Sequence, residues 1–149
     1  MQSRHGIAWA AALTLVALVP SCASAGSADD DARAACENLS SSSIASPPAD
    51  SGTEDITAET YQDVSDGLAN RGRDAARAAS QDSRYEDLSK TFSKAVVLAS
   101  TAAQQITAAG GDIHNFPSEA AAEANNKTRG QVSAALQEIA ADCDIVNAG

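Results

Sequence analysis

The run from Tyr85 to Ala109 constrains the fold more than any other part of this chain. Tyr85, Leu88, Phe92, Ala95, Ala99, Ala102, Ile106 and Ala109 recur at alternating spacings of three and four residues. That period puts them on one side of an α-helix and holds for over three heptads. Ser83-Arg84-Tyr85-Glu86 before it has the serine and the glutamate of a capping box, and Gly110-Gly111 after it is a helix stop. A long helix with a single apolar stripe must bury that stripe against other elements.

Two further stretches supply partners of the same kind. Tyr61, Val64, Leu68, Ala75 and Ala79 form a second stripe, with Thr57 and Glu59 marking its helix start. Gly67 and Gly72 lower helix propensity there and predict a bend. A third helix is expected to begin near Asn115 to Ser118, with Pro117 close to its first position. Ala121, Asn125, Thr128, Val132, Leu136, Ile139, Cys143 and Val146 line one side of it, polar in the first half and apolar in the second. Asn125, Asn126 and Gly130 predict a kink or break within it.

Ahead of these helices, residues 26–35 read as a polar lead-in, and Ala32 to Leu39 holds a short helix around Cys36. Ser40 to Gly52 is rich in serine and proline and reads as a linker. No segment alternates with the period of a strand. The expectation is an all-α fold: an up-down bundle of three long helices over residues 56–147, plus a short N-terminal helix and one disulfide. Aromatic residues are only 3% of the chain, so alanine must fill much of the core. Small side chains bury little area each, which predicts modest stability.

The first 25 residues differ in kind. Arg4 and His5 precede Ile7 to Val19, a run of 13 apolar or small residues without charge, ended by Pro20. This is the pattern of a secretory signal and is too short to span a bilayer. Val19-Pro20-Ser21-Cys22 then resembles the lipobox of bacterial lipoproteins, and the alanine-rich composition points to actinobacterial ones. Pro20 departs from the usual spacer residue of that motif. The resemblance implies removal of residues 1–21 and a lipid on Cys22, leaving 22–55 as lead-in and linker. Ala23-Ser24-Ala25 offers a competing site, which would remove residues 1–25 and release the protein. Both readings stay open.

Either reading takes Cys22 out of account and leaves Cys36 and Cys143. Outside the cytoplasm an even pair is most simply one disulfide. Closing so long a loop restrains the unfolded chain by about 4–5 kcal/mol in the chain-entropy account. Two lone cysteines and His114 lack metal-ligand spacing, so no metal is expected.

Charge excludes one large class of partner. Removal of the first 25 residues leaves nine basic against twenty acidic side chains, which argues against nucleic-acid binding. Six of those nine, Arg71, Arg73, Arg77, Arg84, Lys90 and Lys94, fall within residues 71–94. They are a candidate contact patch for an anionic envelope component or an acidic partner face. The competing reading is local pairing, as in Glu86–Lys90 at i,i+4.

Catalytic signals are weak. Glu86/Asp87 and Asp142/Asp144 do not share a helix face as pairs. Asp29-Asp30-Asp31 lacks the glycine and glutamate of a calcium loop. His114, with Tyr61 or Tyr85 as oxygen donor, is the one candidate haem or metal ligand, and its plain reading is an exposed turn residue. The sequons at Asn38 and Asn126 matter only in a eukaryotic secretory pathway. The residues point to a cell-envelope lipoprotein or secreted helical protein acting through protein or envelope contacts, without catalysis or cofactor. A carrier of haem or an apolar molecule is the alternative.

Overall fold

The computed structural model describes residues 26–39 and 56–149. The signal, the lipobox with Cys22 and the Ser40 to Gly52 linker lie outside these residues. Four α-helices make up the described part: α1 (Ala28–Ala35), α2 (Ala58–Gln81), α3 (Glu86–Ala108) and α4 (Glu119–Ala148). The fold is the all-α bundle expected, three long helices and one short.

Neighbouring helices are antiparallel, as short connections require. Ser65 on α2 donates to the Val96 carbonyl of α3 at 3.4 Å, and Lys94 on α3 pairs with Glu138 on α4 at 2.9 Å. Further along the same two helices, Asn125 Nδ2 donates to Gln105 Oε1 at 3.2 Å. α1 runs back along the C-terminal half of α2, where Asp31 meets Arg77 at 3.3 Å. The Cys36–Cys143 disulfide, with Cα atoms 5.2 Å apart, ties the end of α1 to α4 across 107 positions.

The predicted stripes are the core. Leu88, Phe92, Ala95, Ala99, Ala102, Ile106 and Ala109 are all buried, as are Asn125, Thr128, Val132, Ile139 and Cys143 on α4. On α2 the stripe shifts by one residue at its end: Ala78 is buried and Ala79 is only half-buried. Neither glycine interrupts α2. Gly72 faces Phe92 of α3, where an added Cβ would make a close but ordinary contact at 3.4 Å. The expected break in α4 is also missing, and 30 residues run as one helix. Burial of Asn125 and Thr128 against α3 outweighs the weak propensity of that segment.

The helix ends depart from expectation in instructive ways. Thr57 caps α2 in a reciprocal bond pair with Thr60, while Glu59 takes no part in the cap. The Ser83/Glu86 capping box does not form. Ser83–Tyr85 is a 3₁₀ turn whose cap is Asp82, accepting from the Arg84 N–H at 3.0 Å. α4 is capped by Ser118, which accepts from the Ala121 N–H, so Pro117 lies just outside the helix. α1 starts earlier than predicted, with Ser27 and Asp30 forming a capping box. Asp29, Asp30 and Asp31 therefore belong to its first turn, where carboxylates complement the helix dipole. Gly110 and Gly111 both have positive φ, and their N–H groups reach the carbonyls of Thr107 and Ile106, closing α3 as a Schellman motif.

Candidate functional site

The end of the bundle that holds the disulfide also holds the polar chemistry. The α2–α3 turn projects its cations toward the first turn of α1. Arg84 pairs with Asp29 and with Asp82, the latter at 2.9 Å, and its guanidinium lies 4.8 Å over the Tyr85 ring. The Tyr85 hydroxyl donates to the same Asp29 oxygen at 2.7 Å. That bond is the main reason the Asp29 carboxyl sits below its ordinary range, against a desolvation effect and with help from Arg84. Burial, with Asp29 second, pushes the Tyr85 hydroxyl up. Asp31, nearly buried, accepts from Arg77 and from Gln81 at 2.8 Å.

The six predicted patch residues are each engaged within the chain. Arg77 binds Asp31 and Asp74, Lys90 lies 3.3 Å from Glu86 and from Asp87, and Lys94 holds Glu138. Arg71 donates to the carbonyls of Ala35 and Glu37 at the end of α1, and Arg73 donates to Asn70. Arg71, Arg77 and Arg84 fasten α1 to the α2–α3 hairpin with charge-assisted bonds. Sequence gave the charges and their clustering. It did not give their distant partners: Asp31 lies 46 positions from Arg77, and Asp29 lies 55 positions from Arg84.

Beside this network lies a cleft of about 510 Å³ where α1, the start of α3 and the end of α4 converge. Asp29 and Arg33 stand on the α1 side, and Arg84 and Tyr85 on the turn. Leu88, Val146 and Ile145 supply its apolar surface, and Ile145 is 73% exposed. Asp142 stands one helical turn before Ile145. Burial first, then the charges of Asp87 and Glu138, raise its carboxyl above the ordinary range. No hydrogen bond or ion pair to Asp142 is found among the described residues. The sequence signal for this cleft was Ile145, an isoleucine off the α4 stripe among acids.

The haem or metal candidates do not come together. His114 is exposed in the α3–α4 turn, with its backbone N–H donating to Asp112 Oδ1 at 2.8 Å, at the opposite end of the bundle from Tyr85. The buried Tyr61 hydroxyl accepts from Arg129 at 3.1 Å. No group of three metal-ligating side chains occurs among the described residues. A smaller hollow of about 240 Å³ lies at the α3–α4 turn, lined by Phe116, Pro117 and alanines of both helices. No described helix is long and apolar enough to cross a membrane. Compared with family models, curated proteins and solved structures, the chain matches none of them.

Proposed function

We propose that this protein is an extracytoplasmic helical module, lipid-anchored or secreted, that works through contacts with an envelope protein and not by catalysis. The disulfide carries this reading. Cys36–Cys143 staples a thin, alanine-built core, and such bonds form and persist in oxidising compartments. The apolar segment Ile7 to Val19 and the motif at Cys22 agree with that location. Partner recognition through anionic surface components is the weaker form of the proposal, because the cations it needs are bound to the chain's own carboxylates and carbonyls.

Thiol trapping in fractionated cells tests it. The expected result is protein in the envelope or the medium, with Cys36 and Cys143 protected from alkylation until reduction. Reduced protein in the cytoplasm overturns the reading. Intact mass of the membrane-bound form then separates anchored from released protein: a diacylglycerol adduct on Cys22 supports the anchor, and a chain starting at Gly26 excludes it.

The hollow at Phe116 and Pro117 favours a second reading, a carrier of a small apolar molecule. Native mass spectrometry of protein purified from its cells tests this, with a co-purifying ligand expected and a bare mass against it.

A further inference from the structure

The contact function proposed above needs a surface, and the inference drawn here rests on that reading. Val97 and Ile145 are the two large hydrophobic side chains that stand exposed among the described residues. Val97 lies on α3 with lysine, serine and threonine as exposed or half-buried neighbours one turn away at Lys94, Ser93 and Thr101, and a single exposed valine needs no explanation. Ile145 is different, because it continues into Val146 and Leu88 along a cleft large enough for a side chain and its stem.

The charges around that apolar strip are unevenly balanced. Asp142 and Ile145 are three apart on α4 and so share a face. The carboxylates nearest Asp142 electrostatically are Asp87 and Glu138, both of its own sign. The cations within reach of that side are taken: Lys90 by Glu86 and Asp87, Lys94 by Glu138, Arg84 by Asp29 and Asp82. Arg33 stands across the cleft on the α1 side, where its charge also acts on Asp29. A base arriving from outside is repelled by Arg33 and drawn toward Asp142, which fixes its direction. A chain of net charge −10 adds a general attraction for cationic segments.

We propose that the cleft between α1 and the ends of α3 and α4 docks a segment of a partner protein that presents an aliphatic side chain beside a lysine or arginine. The aliphatic group lies on Leu88, Ile145 and Val146, and the base pairs with Asp142.

The test uses protein isolated from its cells with the disulfide intact, and three blocked hexapeptides as probes. One alternates lysine and leucine, one glutamate and leucine, and one lysine and serine. Amide shifts followed by NMR are expected to move at Leu88, Asp142, Ile145 and Val146 with the lysine–leucine peptide and to stay still with the other two. Asp142→Asn weakens binding about fivefold, the upper range for a partly exposed ion pair. Ile145→Ser weakens it about tenfold by removing buried apolar area, and Val97→Ser leaves it unchanged. Equal binding of the glutamate peptide, shifts outside the cleft, or indifference to both cleft variants overturns the proposal. A photo-crosslinking residue at position 145, 97 or 123 (Glu123 is an exposed residue near the start of α4) in intact cells separates this failure from failure of the contact reading. A crosslink at 145 onto an identified basic–aliphatic segment supports the cleft. Crosslinks only at 97 or 123 sink the cleft and leave a contact module, and none at any position sinks both.

Discussion

The two ends of this bundle are built on different principles. Around the disulfide, α1 packs as a fourth helix, and Leu68, Leu88, Phe92 and Ile139 join Cys36 and Cys143 in one buried cluster. Toward Gly110 the cluster is Ile56, Tyr61, Ala99, Ala102, Ala103, Ile106 and Val132. The residues that α4 buries beyond Val132 at that end are polar, Asn125 and Thr128. Thr128 returns its hydroxyl to its own helix at Ala124, and Asn125 Oδ1 is buried without a donor. A helix can thus be continuous in geometry and uneven in stability. One end of α4 is cross-linked and apolar, and the other is held by an amide pair and the Arg129–Tyr61 bond.

The strongest way to break that comparison is to remove the staple. Replacing Cys36 and Cys143 together by alanine is expected to lower unfolding stability by about 4 kcal/mol, close to the chain-entropy value for a loop this long. Hydrogen exchange sharpens the point. In the intact protein residues 119–131 exchange first and 132–146 last. Without the disulfide the difference between the two segments shrinks, because the cross-linked end loses its advantage. If 119–131 exchange last in the intact protein, the asymmetry is wrong.

Phe92→Ala comes next. Phe92 is the largest fully buried side chain among the described residues and packs at Gly72 of α2, so truncation is expected to cost about 3 kcal/mol or more. Urea denaturation should show a lower midpoint at an unchanged slope. The opposite end responds with the opposite sign. Asn125→Leu removes an orphaned acceptor and is expected to stabilise by about 1 kcal/mol, provided the amide bond to Gln105 is worth less than the penalty relieved. A loss of stability on that substitution would mean that the amide pair is a net support.

These differences bear on what the sequence made legible. The α3 stripe was readable because leucine, phenylalanine and isoleucine mark its period, and two glycines at positive φ just past its end stand where a Schellman motif requires them. The break expected at Asn125 and Gly130 was a propensity argument, and tertiary burial overrode it. The first turn of α1 went unread for a related reason. Asp29, Asp30 and Asp31 have no apolar period, and their helix is stabilised by the Ser27 cap, the dipole and cations brought from α2 and the turn. Of the two readings of the six clustered cations, local pairing holds for Lys90 and Arg73, while the distant partners of Arg71, Arg77, Arg84 and Lys94 left no sign in the sequence. The cleft was the least legible feature, since it exists only where three helix ends converge and its one sequence sign was a misplaced isoleucine.

The smallest expected effect compares two carboxylates of that cleft. Asp29 is held below its ordinary value, chiefly by the Tyr85 hydroxyl, so it supports folding above the unfolded value of 3.8 and loses that support as pH falls through its folded value. Asp142 is raised by burial and by like charges, so the signs reverse. Above its folded value the ionised group opposes folding in full. As pH falls from there to 3.8 the folded state takes up its proton first, and the penalty disappears. Asp142→Asn should therefore raise stability at pH 7 by less than about 1 kcal/mol, given solvent screening. The gain should vanish near pH 3, where both forms are neutral at that position. Tyr85→Phe should do the reverse, lowering stability at pH 7 and adding nothing to acid sensitivity from Asp29 once its support is gone. Thermal melts of the three proteins between pH 7 and pH 3 measure both. A pH-independent gain from Asp142→Asn would trace it to packing rather than charge. A gain at pH 7 in a variant that binds the lysine–leucine peptide less well would separate the cost of Asp142 to folding from its use in recognition.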